Sequence, residues 1–158
     1  MEGRAYWNSP VGPLVIESRG DAITAVGFLK TEKLESFPSP VVDQCLTELD
    51  EYFFKGRKFF NIELQFQGSE FQKRVWSELQ NIPYGRTISY QELATRLGDP
   101  NLVRAVGLAN GQNPIAIVVP CHRVIGANGD LVGYGGGLDK KEWLLNHEGA
   151  FAQQLKLF

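Results

Sequence analysis

One of the two cysteines stands where the sequence could support covalent chemistry. In the stretch AIVVPCHRVIGANG, residues 116–129, Cys121 ends an apolar run and is followed at once by His122 and Arg123. Structural cysteines usually lie inside such runs, where they pack as small hydrophobic residues. Imidazole or guanidinium groups near a cysteine lower the pKa of its thiol and increase the fraction of reactive thiolate. The position of Cys121 therefore indicates a nucleophile.

A base and a carboxylate are also available to this cysteine. A glycine-rich loop, GYGGG, surrounds Tyr134, and the helix predicted after it carries Glu148 near its end. A cysteine, a histidine and a carboxylate are the residue types of a nucleophile, its base and the group that orients the base. On the residues alone, a cysteine hydrolase and a thiol transferase both fit.

The first half of the chain predicts a small α/β domain over residues 1–67, with an antiparallel sheet and a helix. RAYWNSP and PLVIESRGDAITAVGFLK alternate as strands do, with a hairpin turn at RGDA. Pro40 begins an amphipathic helix that Gly56 ends, and Cys45 lies on its apolar stripe as a core residue. FFNIELQF, residues 59–66, predicts a further short strand.

The second half, residues 68–158, predicts a mostly helical domain with a winged helix-turn-helix. Ser69 and Ser89 each begin a helix with a capping box, and Asp99 precedes the next helix as its N-cap. In that last helix Arg104 stands among small residues, Gly107, Ala109 and Gly111. The pattern leaves open whether Arg104 is simply solvated or reaches into a closely approaching partner.

Composition excludes several classes of protein. The 158 residues are 43% hydrophobic and 22% charged, without an apolar run long enough for a membrane span or a signal peptide. Two cysteines and two histidines without paired spacing predict no metal site and a cytoplasmic location. The net charge is −2, but residues 68–158 carry nine Lys and Arg against eight Asp and Glu, which allows a local basic patch for a polyanion.

Five motifs in order make residues 68–158 resemble the O6-alkylguanine-DNA alkyltransferases. They are YGRTISYQELA, RAVGLANGQNP, IVVPCHRVIGANG, GYGGGL and KKEWLLNHEG. The resemblance implies direct-reversal repair without a cofactor, in which the O6-alkyl group of an extruded guanine moves irreversibly onto a cysteine. It leaves open whether O4-alkylthymine is also repaired. It further implies a monomer that binds double-stranded DNA through the minor groove.

The resemblance also assigns roles to individual residues. Cys121 would accept the alkyl group, His122 would act as base through a water, and Glu148 would orient His122. Asn113 would brace the turn that carries the cysteine, and Tyr90 would donate to the leaving guanine. The remaining expectations are Arg104 as the finger that fills the vacated base stack; Gly107, Asn101, Arg123 and Tyr90 as DNA contacts; and Tyr134, Gly135, Gly136 and Val124 as the walls of the substrate pocket. Arg123 is in addition expected to support the cysteine motif.

Three other functions are weighed against this one. A non-catalytic protein that recognises alkylated DNA would lack the cysteine, whereas Cys121 is present. A cysteine hydrolase would not need the helix-turn-helix or Arg104. A sequence-specific transcription factor would need a row of Asn, Gln or Arg on its recognition helix to read the major groove, and the helix around Arg104 has none.

Overall fold

The computed structural model describes residues 2–150, and these residues fold as two compact units. One unit contains the chain up to Gln67 together with Pro114–Val118. The other contains Gly68–Asn113 and the chain from Val119 onward. Among residues 2–150, no helix combines the length and the apolar composition that crossing a bilayer requires.

The first unit is built on a three-stranded antiparallel meander. Strands β1 (Glu2–Ser9), β2 (Gly12–Arg19) and β3 (Ala22–Phe28) pair in chain order. Alternate side chains of a strand point to the same face, so one face of the sheet is apolar. The buried apolar side chains on β2 and β3 are Leu14, Ile16, Ile23 and Val26, and Ser18 is buried beside them on β2. The predicted hairpin is thus confirmed.

Helix α1 (Pro40–Phe54) packs on this sheet and supplies the rest of the core. Its proline lies in the first turn, where the missing N–H costs no intrahelical hydrogen bond. Cys45 and Leu49 are completely buried on its inner face. Burial, with a smaller contribution from the carboxylate of Glu48, raises the pKa of the Cys45 thiol to about 12. Cys45 is therefore an inert core residue, as its helical spacing predicts.

The stretch FFNIELQF does not form the predicted strand. Within it, Leu64 alone makes a single bridge, to Ile23 of β3. Side chains of α1 take the backbone groups that a neighbouring strand would use. The N–H of Asn61 donates to Glu48 Oε1 at 2.6 Å, and Gln44 Nε2 donates to the Asn61 carbonyl at 2.9 Å. A buried carboxylate and an exposed amide thus compete successfully with strand pairing.

The second unit is mostly helical, as predicted. Its helices are α2 (Glu70–Leu79), α3 (Tyr90–Arg96), α4 (Val103–Gly111) and α5 (Leu138–His147), and a two-residue parallel pair joins β4 (Ile88–Ser89) to β5 (Val124–Ile125). Short 3-10 helices precede α4, at Pro100–Leu102, and β5, at Cys121–Arg123.

Capping side chains fix where these helices begin. Ser69 and Gln72 form the complete capping box predicted for α2. Ser89 accepts the N–H of Glu92 at the start of α3. Asp99 accepts the N–H of Asn101 in the turn between α3 and α4. With α3 and α4 in contact across this short turn, the predicted helix-turn-helix is confirmed.

Candidate active site

The cysteine lies in a tight turn at the end of the apolar run. Pro120 precedes the 3-10 helix Cys121–Arg123, and the Cys121 N–H donates back to the Val119 carbonyl at 2.8 Å. This turn places Cys121 at the end of the apolar run, yet leaves it only 7% exposed. The chain therefore presents a thiol at the edge of the core without exposing it to bulk water.

Two amide side chains from the end of α4 brace this turn. Asn113 Nδ2 donates to the Val119 carbonyl at 2.8 Å, and the Asn113 side chain also hydrogen-bonds the Cys121 thiol. Asn110 Nδ2 donates to the Cys121 carbonyl at 3.4 Å from a buried position. Buried carbonyl groups need hydrogen-bond donors. The two amides supply them and so link the backbone of the cysteine turn to the helix-turn-helix.

The histidine and the carboxylate meet in the core. His122 Nε2 lies 2.8 Å from Glu148 Oε2, and both side chains are completely buried. Arg123 holds the same carboxylate with two bonds, from Nε to Oε1 at 2.8 Å and from an Nη to Oε2 at 3.0 Å. Its other Nη donates to the Ile82 carbonyl at 2.7 Å. The forked geometry of this pair fixes the carboxylate in one orientation.

Burial and charge set the protonation of this cluster. Burial alone raises the pKa of the Glu148 carboxyl, but His122 and Arg123 outweigh it and hold that pKa well below its usual range. Burial, together with the charges of Arg123 and Lys141, lowers the pKa of His122 against the opposing effect of Glu148. The carboxylate is therefore ionised and the imidazole neutral near pH 7. An ionised carboxylate only accepts, so the imidazole proton lies on Nε2 and Nδ1 carries the basic lone pair.

His122 Nδ1 is buried and has no hydrogen-bond partner among residues 2–150. For the Cys121 thiol, burial raises the pKa, while the Asn113 hydrogen bond and the charge of Lys141 oppose this rise. A buried thiol with a raised pKa needs a base to become a nucleophile. His122 is the neighbouring neutral base.

A second polar cluster lies around Tyr90. The Tyr90 hydroxyl donates to the Val132 carbonyl at 3.0 Å, and its oxygen is hydrogen-bonded by the Asn110 side chain. Lys141 Nζ donates to the same carbonyl at 2.8 Å and to the Gly133 carbonyl at 3.3 Å. Its ammonium also lies 5.8 Å from the centre of the Tyr90 ring. Burial, and then the charge of Cys121, raise the pKa of the Tyr90 hydroxyl, so it is a proton-bearing donor at neutral pH.

The residues predicted to line the substrate pocket differ in their burial and in the elements that carry them. The Tyr134 hydroxyl is buried, and burial followed by the charges of Cys121 and Glu148 raises its pKa well above the usual value. Val124 is completely buried in β5, beside the cysteine turn. Gly135 and Gly136 lie in the loop between Tyr134 and α5. A Cβ added at Gly135 would meet no atom within 4 Å, so the fold itself does not require glycine there.

The exposed face of helix α4 consists of Arg104, Ala105, Leu108 and Gly111. The Arg104 side chain is exposed and makes no hydrogen bond or ion pair with any other residue in the described range 2–150. Gly107 is half-buried, and a Cβ there would be 3.7 Å from the Tyr90 ring, an ordinary contact. Asn101 is exposed at the turn before the helix. This surface is free to meet a partner, and packing within the unit does not dictate its small residues.

The structure thus gathers Cys121, His122, Glu148, Asn113 and Tyr90 around one site and leaves Arg104 and Asn101 on the surface. Arg123 departs from the expected DNA contact. Its side chain is 7% exposed and its guanidinium is fully engaged by Glu148 and Ile82. A buried, paired guanidinium is not available to a phosphate, so Arg123 is a positioning residue for Glu148.

Two residues of the site escaped the sequence reasoning. Lys141 and Asn110 are both buried, although their side chains are polar. Each lies on the inner stripe of its helix, Lys141 three residues before Leu144 and Asn110 four residues after Val106. A polar residue at a position where the helical period demands an apolar one is the signal that could have found them.

Within residues 2–150 there is no group of three His, Cys, Asp or Glu side chains that could hold a metal ion. The groups that remain are a buried thiol, a neutral imidazole on an ionised carboxylate, and hydroxyl and ammonium donors. Together with the helix-turn-helix, they are the groups that a thiol-dependent transferase acting on DNA would use.

Comparison with known proteins gives the family. Residues 70–150 match the model of the 6-O-methylguanine DNA methyltransferase DNA-binding domain, and residues 4–66 match that of the ribonuclease-like domain of the same proteins. The chain belongs to the 6-O-methylguanine DNA methyltransferase family. The methylated-DNA–protein-cysteine methyltransferase of Methanosarcina acetivorans is 46% identical over 92% of this chain and 97% of its own length. That of Mycolicibacterium paratuberculosis is 49% identical over 87% of each chain.

Solved structures agree with this relationship. The O6-methylguanine methyltransferase of Mycobacterium tuberculosis has a TM-score of 0.85 and 44% identity, over 95% of this chain and 94% of its own. The OGT of the same organism in complex with DNA has a TM-score of 0.84 and 46% identity, over 92% and 91%. The predicted two-part fold and the predicted family are therefore confirmed.

Proposed function

We propose that this protein repairs alkylated DNA by transferring the alkyl group of O6-alkylguanine onto Cys121, once per molecule. The observation that carries the proposal is the buried arrangement of Cys121 beside neutral His122, whose Nε2 is held 2.8 Å from Glu148. Relatives that align with most of the chain are named methylated-DNA–protein-cysteine methyltransferases, and this supports the proposed activity. A relative solved in complex with DNA supports DNA as the partner.

The chemistry follows from the charges of the site. His122 Nδ1 takes the thiol proton through a bridging water, and the resulting thiolate attacks the alkyl carbon. A carbon–sulfur bond forms as the carbon–O6 bond breaks, and the electron pair of that bond passes to the guanine. The guanine then takes up one proton, so the thiol proton is balanced by the proton on the released base. Thiolate is the form of cysteine strong enough for this displacement.

Donors around the pocket would stabilise the charge that develops on the guanine. Tyr90 is suited to this role because its pKa is raised and its hydroxyl therefore keeps its proton, which would turn from the Val132 carbonyl to the base. Tyr134 and backbone N–H groups of Gly135 and Gly136 would close the pocket over the base. Val124 would contribute an apolar wall.

Guanine inside a duplex is out of reach of a buried thiol, so the lesion would have to leave the base stack. Extrusion costs a few kcal/mol, and a side chain that fills the gap offsets part of that cost. Arg104 is exposed on α4 and suited to this task. The small Gly107 and exposed Asn101 on the same surface suit close approach to the minor groove. We place the protein on DNA as a monomer in the cytoplasm.

The proposal is tested by intact-mass measurement and peptide mapping after mixing the protein with a duplex that contains one O6-methylguanine. The expected result is the net gain of one CH2 unit, on the peptide of Cys121, saturating at one per protein. The Cys121→Ala variant should gain nothing, and Cys45 should remain unmodified in both. Binding to the lesion without any gain of mass would overturn the proposal in favour of a recognition protein.

A further inference from the structure

Lys141 is a lysine in a place where lysines are rare. It lies in α5, is 0% exposed, and ranks among the largest completely buried side chains of the described residues. Burying an ammonium costs free energy unless hydrogen bonds and an opposite charge compensate it. What compensates Lys141 therefore indicates what it does.

Hydrogen bonds satisfy only part of this need. The ammonium donates to the Val132 and Gly133 carbonyls and faces the Tyr90 ring. Within residues 2–150, no Asp or Glu side chain lies within ion-pair distance of Lys141. Carbonyl dipoles and an aromatic face attract a cation but carry no net charge.

The anion that can compensate Lys141 is the thiolate of the active site. Helix α5 packs against the 3-10 helix that begins with Cys121. The charge of Lys141 lowers the pKa of the Cys121 thiol, and the charge of Cys121 raises the pKa of Lys141. The titratable groups that face Lys141 are Cys121 and His122 from the cysteine turn and Tyr90 from α3. Of these, His122 is neutral and Tyr90 keeps its proton, which leaves the thiolate as the anion.

We infer that Lys141 is the counter-cation of the Cys121 thiolate and a positioning residue for the alkyl transfer. The inference rests on the proposed function and adds to it a charge that holds the nucleophile ready after His122 has taken the proton. The same ammonium ties the Val132 carbonyl to Tyr90. Through this carbonyl, Lys141 positions the Tyr90 hydroxyl, which we propose stabilises the leaving guanine. It also positions the Cys121 thiolate that attacks the alkyl carbon.

The lowered pKa of Lys141 fits this role. Burial brings it from the usual value to about 8, against the opposing effect of Cys121. The ammonium therefore remains charged at neutral pH, close to the limit at which it would lose its proton. Once the sulfur is alkylated it can no longer form a thiolate, so the ammonium can no longer acquire this counter-ion.

The test separates the charge of Lys141 from its hydrogen bonds. Lys141→Gln keeps an N–H donor for the Val132 carbonyl but removes the charge, whereas Lys141→Arg keeps the charge. Lys140→Gln on the same helix is the matched control. For each full-length variant, the rate of Cys121 alkylation by iodoacetamide is measured across the neutral to alkaline range, with peptide mapping to separate Cys121 from Cys45.

We expect Lys141→Gln to move the midpoint of the rate profile upward by one pH unit or more, which lowers the alkylation rate near neutral pH about tenfold. Lys141→Arg should restore the midpoint, and Lys140→Gln should leave it unchanged. One midpoint shared by the wild type, Lys141→Gln and Lys141→Arg would overturn the inference.

Methyl transfer from O6-methylguanine duplex is measured on the same samples. If the wild type gains a methyl group while the midpoints are equal, the counter-cation role fails and the proposed function stands. If the wild type gains no methyl group, the proposed function fails, and the iodoacetamide profile still decides whether Lys141 controls the thiol. Urea unfolding of each variant identifies any that have lost the fold. If Lys141→Gln has lost it, Lys141→Met, which also removes the charge and has a similar length, replaces it with the same expected rise of the midpoint.

Discussion

His122 donates to Glu148 across 2.8 Å in a site where neither side chain is exposed. The contact decides which ring nitrogen is basic, because a carboxylate held by Arg123 in two further bonds has no proton to give. We expect Glu148→Gln to slow single-turnover methyl transfer about 100-fold, a typical contribution of a correctly placed base. Rapid-quench transfer to a lesion-containing duplex measures this loss.

The same substitution leaves the guanidinium of Arg123 buried beside a neutral amide. Breaking a buried ion pair by removing one partner costs about 3–5 kcal/mol, and urea unfolding should show a loss of this order. Glu142→Gln, on the exposed side of the same helix, is the control and should change neither quantity. Full activity in Glu148→Gln would remove the carboxylate from the mechanism.

Substitutions at Arg123 and at Arg104 should slow methyl transfer in different ways. Arg123→Lys replaces a forked donor with a single ammonium, so the carboxylate of Glu148 loses its fixed orientation. Because this effect acts on the chemistry alone, transfer should slow by the same factor from a duplex and from free O6-methylguanine base. The salt dependence of DNA affinity should stay the same, since a buried guanidinium contacts no phosphate.

Arg104→Ala should affect only the duplex substrate. The exposed arginine contributes to extrusion of the base, which free O6-methylguanine does not need. We expect transfer from the duplex to slow roughly tenfold, equivalent to about 1.4 kcal/mol, with the free base unaffected. Equal slowing on both substrates would show that Arg104 acts on the chemistry instead of on the DNA.

A substitution at Asn110 tests whether its buried amide lowers the pKa of the Tyr90 hydroxyl. Its Nδ2 hydrogen-bonds the Tyr90 hydroxyl and the Cys121 carbonyl, while its own Oδ1 is buried without a partner among residues 2–150. Asn110→Leu keeps the volume and removes the group that lowers the Tyr90 pKa, so that pKa should rise further. Carbon-13 NMR of labelled tyrosine, with Tyr90→Phe to assign the signal, measures the change. An unchanged or lower pKa would contradict the assigned contact.

Local sequence rules predicted most of the elements because local physics determines them. The capping box at Ser69 and the alternation in β2 and β3 depend on neighbours within a few residues, and both formed. The strand predicted at 59–66 failed because Glu48, distant in sequence, claims the Asn61 N–H. No pattern confined to residues 59–66 contains that competitor.

The site residues also divide into those that sequence motifs indicate and those that only packing reveals. The motifs indicated Cys121, His122 and Glu148, and the structure brings them together. For Arg123 the resemblance implies both a DNA contact and support of the cysteine motif, and the buried guanidinium fits only the second. Its true partner is decided by α5, whose last turn places Glu148 against Arg123. Lys141 was missed because a lysine in a helix is usually solvated, and only the packing around it shows that it is buried.

The buried pair also makes the stability of the second unit depend on pH in a defined direction. The pKa of Glu148 is lower in the folded protein than the value of about 4.3 for an unfolded chain. Its contribution is therefore complete above about pH 4.3 and is lost as the pH falls toward the folded value. The pKa of His122 is also lowered, so the unfolded chain binds this proton first as the pH drops below about 6.5. Both groups make unfolding easier in acid.

We therefore expect the free energy of unfolding, measured by urea titration at a series of pH values, to fall continuously from about pH 6.5 downward and more steeply below about pH 4.3. Glu148→Gln should lose the steeper part, because it has no carboxyl group to protonate there. Glu142→Gln should follow the wild type throughout, since its carboxyl lies on the exposed side of α5. If Glu148→Gln kept the wild-type slope below pH 4.3, the acid sensitivity would have to arise from carboxyl groups outside the buried pair.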